Sequence, residues 1–74
     1  MKNIGKYDFY GTNGNRHQTD HVTIRDHVTQ KLVLRLDIPK RNPLQYLAKH
    51  DGKYLQVVVE KTGLSKTEIQ SQLK

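Results

Sequence analysis

The chain has 74 residues, which is enough for one domain at most. It carries 13 Lys and Arg against 7 Asp and Glu, which gives a formal net charge of +6, and it contains no cysteine. The lack of cysteine excludes disulfides, thiol nucleophiles and thiolate metal sites. A positive field of this size favours acidic partners, nucleic acid above all.

The low hydrophobic content predicts the oligomeric state, and the lack of a membrane signal predicts the location of the protein. Because 34% of the residues are hydrophobic and no disulfide braces the core, we expect a homodimer to supply added stability. Residues 1–6 have no apolar stretch behind their lysines, so they do not resemble a signal peptide. No apolar run approaches the about 20 residues that span a bilayer. We expect a cytoplasmic protein that binds no membrane.

The first third of the chain is polar and rich in turns. Lys6–Tyr10 alternates enough for a short strand, and Asn13-Gly14 favours a two-residue turn. The segment Arg16–Asp20 is then either the second arm of a hairpin or a loop. His21–Asp26 predicts a short edge strand, with its two aliphatic residues on one side.

Lys31–Ile38 is the clearest strand in the sequence. Its four even-numbered positions are all Leu or Ile, which predicts a sheet with one buried face. The other face would carry Lys31, Val33, Arg35 and Asp37. Pro39 ends the strand because proline cannot donate a hydrogen bond to the ladder.

The second half predicts helices. Asn42 and Pro43 suit an N-cap and a first helical position, and Asp51-Gly52 ends this first helix. The segment Lys53–Lys61 fits either a helix or a strand; helical spacing favours the helix, whereas its three consecutive valines favour the strand. We predict a helix.

A capping box precedes the final helix. Ser65 is followed three residues later by Glu68, so the serine oxygen can accept a hydrogen bond from the Glu68 backbone N–H. Ile69 and Leu73 then form the inner stripe of a helix that runs to Lys74.

Two segments together resemble the ribbon-helix-helix family of DNA-binding proteins. The junction Thr62–Ile69, with its glycine and Ser-capped turn, resembles the family's junction between two helices, and the strand Leu32–Pro39 resembles its ribbon. The resemblance implies an α+β fold in which short N-terminal strands precede two or three helices. Residues 1–27 would be a turn-rich N-terminal segment and residues 28–74 the DNA-binding unit of one domain, 1–74.

The resemblance also implies site residues. In this family, strands from two subunits form a ribbon that enters the major groove. The base contacts would then come from Lys31, Val33 and Arg35, with Arg35 able to bond guanine twice. The phosphate contacts would come from the start of the last helix, at Ser65, Lys66 and Thr67.

One departure leaves two alternatives open. The interval from Ile38 to Gly63 is longer than the family's single helix allows. A three-helix helix-turn-helix domain explains the interval better; its recognition helix would present Lys66, Thr67, Gln70 and Lys74. A small sheet packed by two helices, with Lys53–Lys61 as a strand, would instead suit a protein-interaction module.

Two other residue groups have an ordinary interpretation as well as a functional one. By residue type, a metal ion could be bound by His17, Asp20, His21 and His27. Without cysteines, solvated surface histidines are the favoured interpretation. Stacking on single-stranded bases is suggested for Tyr7, Phe9 and Tyr10, but we favour a hydrophobic anchor for the N-terminus because so small a core needs the rings.

The sequence therefore predicts a small double-stranded DNA-binding protein that acts as a dimer, a repressor or an accessory factor of a mobile element. No Ser/His/acid set, paired carboxylates or glycine-rich phosphate loop is present. We accordingly expect no enzyme activity, no cofactor, no metal and no small-molecule substrate. The alternative from another class is an inhibitor or assembly factor that docks on an acidic protein surface.

Overall fold

The computed structural model describes residues 1–16 and 19–74, and within them a four-stranded sheet is followed by three helices. The strands and helices are β1 (Lys2–Ile4), β2 (Tyr7–Thr12), β3 (His21–Asp26), β4 (Leu32–Asp37), α1 (Pro43–Lys49), α2 (Lys53–Thr62) and α3 (Lys66–Leu73). The sheet is an antiparallel meander in the order β1-β2-β3-β4. The helices pack on one face of it, α1 over β2 and β3, α2 on β4 and α3 on β1.

The core lies between this sheet face and the helices. In the β2–β3 ladder, Phe9 is opposite Ile24 and Gly11 is opposite Val22, so these residues share the inner face. Phe9, Val22 and Ile24 are fully buried. The helices contribute further buried side chains to the same cluster, namely Leu47, Ala48, Leu55, Val58, Ile69 and Leu73.

A bulge in β4 corrects the predicted alternation. Ile24 pairs with Leu34, but Arg25 pairs with Leu32, so Val33 is the extra residue. The bulge turns Leu32 to the outer face, where it is 55% exposed, and packs Val33 against the core. The prediction that Leu32 shares the buried face is therefore wrong, whereas Leu34, Leu36 and Ile38 do face the core.

The first third of the chain is more ordered than the sequence suggested. β1 was not predicted; it pairs with β2 through a turn in which Gly5 has a φ of 60°. β3 is an inner strand with partners on both sides, and not the predicted edge strand. β2 pairs with β1 on one side and with β3 on the other, so the strand that follows it in the hairpin is β3 and not Arg16–Asp20. Two residues of that segment, 17 and 18, lie outside the described residues.

The helix predictions are largely confirmed. Lys53–Thr62 is a helix and not a strand, and Ser65 Oγ accepts a hydrogen bond from the Glu68 backbone N–H at 3.1 Å. Asn42 is the N-cap residue of α1, with Pro43 in its first turn. Asn42 makes no side-chain capping bond, however, since its φ of 55° puts it in the left-handed region.

The expected ribbon-helix-helix-like fold is wrong. β4 pairs with β3 of its own chain in a four-stranded sheet, and α1 stands between β4 and the α2–α3 junction. The two alternatives also differ from the structure. Three helices are present, but they cover a sheet and do not form a free-standing helix-turn-helix unit, and the third predicted arrangement needed Lys53–Lys61 to be a strand.

Candidate functional site

A tight turn at the end of β4 brings two cations to the surface. Ile38 is buried, and its N–H donates to the carbonyl of Asp20 at 2.9 Å, which fixes the end of the strand. The N–H of Lys40 then donates back to the carbonyl of Ile38 at 2.7 Å across Pro39. This turn leaves Lys40 and Arg41 exposed just before α1 begins.

Helix α1 adds the remaining residues of the site. Its inner side buries Leu47 and Ala48, so Gln45 and Lys49 are left on the exposed side and His50 follows as the C-cap. These side chains border a surface pocket of about 550 Å³. We call it the basic pocket and define it by its lining residues, Lys40, Arg41, Gln45, Tyr46, Lys49 and His50.

The basic pocket has no acidic lining residue. The ion pairs within the described residues involve Asp8, Asp37 and Asp51, each with a partner outside the pocket. One carboxylate, Asp20, lies with Lys40 and Arg41 in an adjoining groove, and its Oδ1 accepts a hydrogen bond from the Gly14 N–H. The pocket's permanent cations are therefore not neutralised by ion pairs in the described parts of the chain.

Aromatic contacts brace one wall of the basic pocket. The half-buried ring of Tyr46 stacks on His50 with ring centroids 4.5 Å apart and meets the Tyr54 ring edge-on at 6.0 Å. Lys53 Nζ lies 5.2 Å from the centroid of the Tyr54 ring, within the range of a cation–π contact. Because these rings pack on one another, they do not form an open stacking platform.

A second groove continues from the basic pocket along α3. It has a volume of about 370 Å³ and shares Lys49 with the basic pocket. Three residues of the predicted recognition helix line it, Thr67, Gln70 and Lys74, together with Asp51, whose carboxylate is paired with Lys66. Gln70 is half-buried and donates from Nε2 to the Leu47 carbonyl at 3.4 Å, so this side chain joins α3 to α1.

The predicted phosphate-binding residues are mainly engaged within the fold. Ser65 accepts the capping bond, and Lys66 Nζ lies 2.8 Å from Asp51 Oδ2. Thr67 is exposed and faces the second groove. Of these three residues, Thr67 alone reaches the surface that adjoins the basic pocket.

The predicted base-contacting residues lie elsewhere, on β4 and the hairpin before it. Lys31 is exposed at the end of the hairpin, and Val33 packs against the core. Arg35 is on the outer sheet face, with its Nε 3.6 Å from Asp37 Oδ1. The structure does not bring these residues together with the start of α3, because α2 is the helix that packs on β4, whereas α3 packs on β1 at the other edge of the sheet.

A buried carboxylate organises the hairpin between β3 and β4. Asp8 is 2% exposed; it accepts hydrogen bonds from Gln30 Nε2 at 2.8 Å and Asn3 Nδ2 at 3.1 Å, and His27 Nδ1 lies 2.9 Å from it. Burial by itself raises the pKa of Asp8, but the hydrogen bonds from Gln30, His27 and Asn3 outweigh it and hold the pKa below its ordinary value.

The same hairpin uses a second carboxylate. Asp26 Oδ1 accepts from the backbone N–H groups of Val28 and Thr29, each at 2.9 Å, and these bonds lower the pKa of Asp26 below its ordinary value. Gln30, at a φ of 61°, also accepts a bond from the Tyr10 hydroxyl at 3.0 Å. The hairpin is thus held by its own Asp26 and Gln30 and by Asp8 and Tyr10 of the neighbouring strand β2.

The structure also bears on the candidate metal ligands and on the N-terminal aromatic residues. Among the described residues, no cluster of three or more His, Asp or Glu could hold a metal ion. His27 contacts Asp8, His21 Nδ1 lies 3.3 Å from the Thr19 carbonyl, and His17 lies outside the described residues. The aromatic anchor interpretation fits Phe9, which is fully buried, and Tyr7, which packs against the core.

Sequence reasoning missed the basic pocket. Its signal was present in the pairs Lys40-Arg41 and Lys49-His50, which flank the predicted first helix, with Gln45 and Lys49 four positions apart on one helix face.

In the part of the chain that is described, no helix has the length and apolar character to cross a membrane. Comparison with protein-family models, with curated proteins and with solved structures found no match.

Proposed function

We propose that this chain binds the phosphate backbone of double-stranded DNA through the basic pocket and the groove beside it. The observation that carries the proposal is the gathering of Lys40, Arg41, Lys49 and His50 around one pocket that no carboxylate lines. Lysine and arginine side chains that neutralise phosphates release counterions from the nucleic acid, and this release supplies most of the affinity of such complexes.

The state of the aromatic residues favours a duplex over a single strand. Proteins that bind single strands offer free aromatic faces on which unpaired bases stack. Tyr46 instead has one ring face against His50 and meets the edge of Tyr54. A surface of cations with occupied rings suits the regular phosphates of a duplex, whose bases are already stacked.

Backbone contacts position a protein on DNA but do not read its sequence. Within the proposal, base contacts belong to the polar side chains of the neighbouring groove, Thr67 and Gln70. The action as a dimer, and the role of repressor or accessory factor of a mobile element, stay predictions that accompany this proposal. Neither binding to the DNA backbone nor these predicted roles require the protein to catalyse a reaction.

The test compares two triple variants of the full chain that carry the same charge. The site variant is Lys40→Ala/Arg41→Ala/Lys49→Ala, and the matched control removes three exposed lysines outside the pocket, Lys2→Ala/Lys6→Ala/Lys61→Ala. Each removes three cations, so the net charge falls from +6 to +3 in both. Fluorescence anisotropy with a labelled random-sequence duplex, at several salt concentrations, gives the affinity and its salt dependence.

We expect the site variant to lower the slope of log K against log salt by about 3, one unit for each lost phosphate contact. The control should lose far less affinity, because it keeps the local contacts. The proposal fails if the wild-type chain does not bind the duplex at micromolar concentration in low salt. Equal losses in the two triple variants would also defeat it, since they would show a response to total charge alone.

A further inference from the structure

One long edge of the sheet has no partner. β4 pairs with β3 on one side, and no other described strand pairs with its second side. Ile38 N–H donates to the carbonyl of Asp20, which stands opposite it when the β3–β4 register is continued. Because bonded and non-bonded positions alternate along an antiparallel pair, the backbone N–H and C=O groups of Arg35 and Asp37 are directed to the free edge.

The usable part of this edge is short and well defined. A bulge at Val33 interrupts it at the beginning, and Pro39, which has no N–H, interrupts it at the end. Bulges and prolines protect exposed strand edges against pairing with another chain. Between them lies the regular segment Leu34–Ile38, which contains no lysine and no proline. Its midpoint is Leu36.

The side chains on this segment are arranged for self-pairing. On the inner face, Leu34 and Leu36 are only half-buried although helices cover that face. On the outer face, the side chains of Arg35 and Asp37 are 53% and 61% exposed and carry opposite charges. A strand that carries one charge of each sign, two positions apart, is complementary to an antiparallel copy of itself.

We propose that β4 pairs antiparallel with β4 of a second copy of this chain, about a two-fold axis at Leu36. Three registers place Arg35 and Asp37 in the new ladder near its centre. One sets Arg35 opposite Arg35 of the partner subunit, and another sets Asp37 opposite Asp37 of the partner subunit; both oppose like charges. The third sets Arg35 opposite the partner's Asp37, twice by symmetry, and is the register that centres on Leu36.

The resulting dimer has a continuous sheet. Two four-stranded sheets join into one of eight strands, and the two-fold axis keeps both helical layers on the same face. The two Leu36 side chains meet on the inner face, where each is half-buried in the single chain. The ladder is only a few residues long, so we expect a reversible dimer that forms as concentration rises. The interface does not depend on the proposed DNA binding.

The test is a charge swap measured by sedimentation equilibrium on the full chain over a wide concentration range. The variants are Arg35→Asp, Asp37→Arg and the double variant that carries both. The matched control is Lys2→Asp, an exposed position on β1 at the opposite edge of the sheet. It has the same change in net charge as Arg35→Asp. Thermal unfolding followed by circular dichroism checks that each variant folds.

We expect a monomer–dimer equilibrium in the wild type, and a dissociation constant raised about tenfold or more by either single change, because two attractive pairs become repulsive. The double variant restores the opposite charges and should return close to the wild-type value. Lys2→Asp should not weaken the dimer, since it lowers the overall repulsion between two positive chains.

Three outcomes would overturn this interface. The wild type could remain a monomer at every concentration. The double variant could dimerise no better than the single variants, which would exclude the Arg35–Asp37 register. Lys2→Asp could weaken the dimer as much as Arg35→Asp does, which would place the contact elsewhere.

Discussion

The position of α1, and with it the basic pocket, depends on a close approach between Gly11 of β2 and Leu44 in the first turn of α1. A Cβ atom added at Gly11 would lie 2.8 Å from Leu44 Cγ and 3.1 Å from its Cδ1. The first of these distances is too short for two carbon atoms, and Cγ is not the free end of the side chain. Gly11→Ala therefore forces Leu44, or the whole first turn, away from the sheet.

We expect Gly11→Ala to lower the free energy of unfolding by about 1–3 kcal/mol, the usual cost of an overpacked contact. For a domain of this size, that loss lowers Tm by about 5–20 °C. Urea unfolding followed by far-UV circular dichroism gives the free energy, and this readout suits a chain without tryptophan.

A double-mutant cycle isolates the cause. In a Leu44→Ala background the clash is absent, so Gly11→Ala should cost nothing there, or stabilise slightly by reducing the freedom of the unfolded chain. The two changes should thus be coupled by about 2 kcal/mol. Equal costs of Gly11→Ala in the two backgrounds would refute the reasoning, because the loss would then come from the strand and not from the helix contact.

Two further predictions concern the hairpin carboxylate and the α3 cap. Asp8→Asn should destabilise the chain at neutral pH; because the folded-state pKa of Asp8 is lowered, the difference from wild type should shrink as pH falls below about 4. Urea titrations at several pH values measure it; the exposed Glu60→Gln is the control, and a pH-independent difference would contradict the role of the charge. Ser65→Ala should cost about 1 kcal/mol, and Ser65→Gly only a few tenths; equal costs in urea unfolding would exclude the capping bond.

The parts of the fold that the sequence predicted are those set by local chemistry. The Ser65–Glu68 cap and the Pro39 stop follow from a few neighbouring residues. The helix at Lys53–Lys61 was also predicted, but its local sequence did not decide it. Three consecutive valines favour a strand, but the helix prevails because it buries Leu55 and Val58 against the rest of the core. Tertiary packing determined that this segment is a helix, because its intrinsic preferences for helix and for strand were in conflict.

The parts that were wrong depend on how neighbouring strands pair, which the side-chain pattern of one strand does not show. β1 is three residues long and carries one buried side chain, Ile4. A pattern of that length does not predict a strand, and β1 forms because β2 pairs with it. The bulge at Val33 reverses the orientation of Leu32, and a period-two pattern cannot reveal it. The expected ribbon-helix-helix fold was wrong because β4 pairs with β3 of its own chain and an additional helix, α1, lies between β4 and α2.

The net charge of +6 is concentrated at the basic pocket because no carboxylate lines it and most carboxylates are engaged with other groups. Asp8 of β2 and Asp26 accept hydrogen bonds from groups of the β3–β4 hairpin, and Asp51 pairs with Lys66. That hairpin and the Pro39 turn are at opposite ends of β4. A carboxylate bound to fixed donors cannot turn to neutralise a distant lysine. The cations next to α1 therefore face solvent and keep most of their positive potential. The composition of the chain alone could not show where on the surface this potential is concentrated.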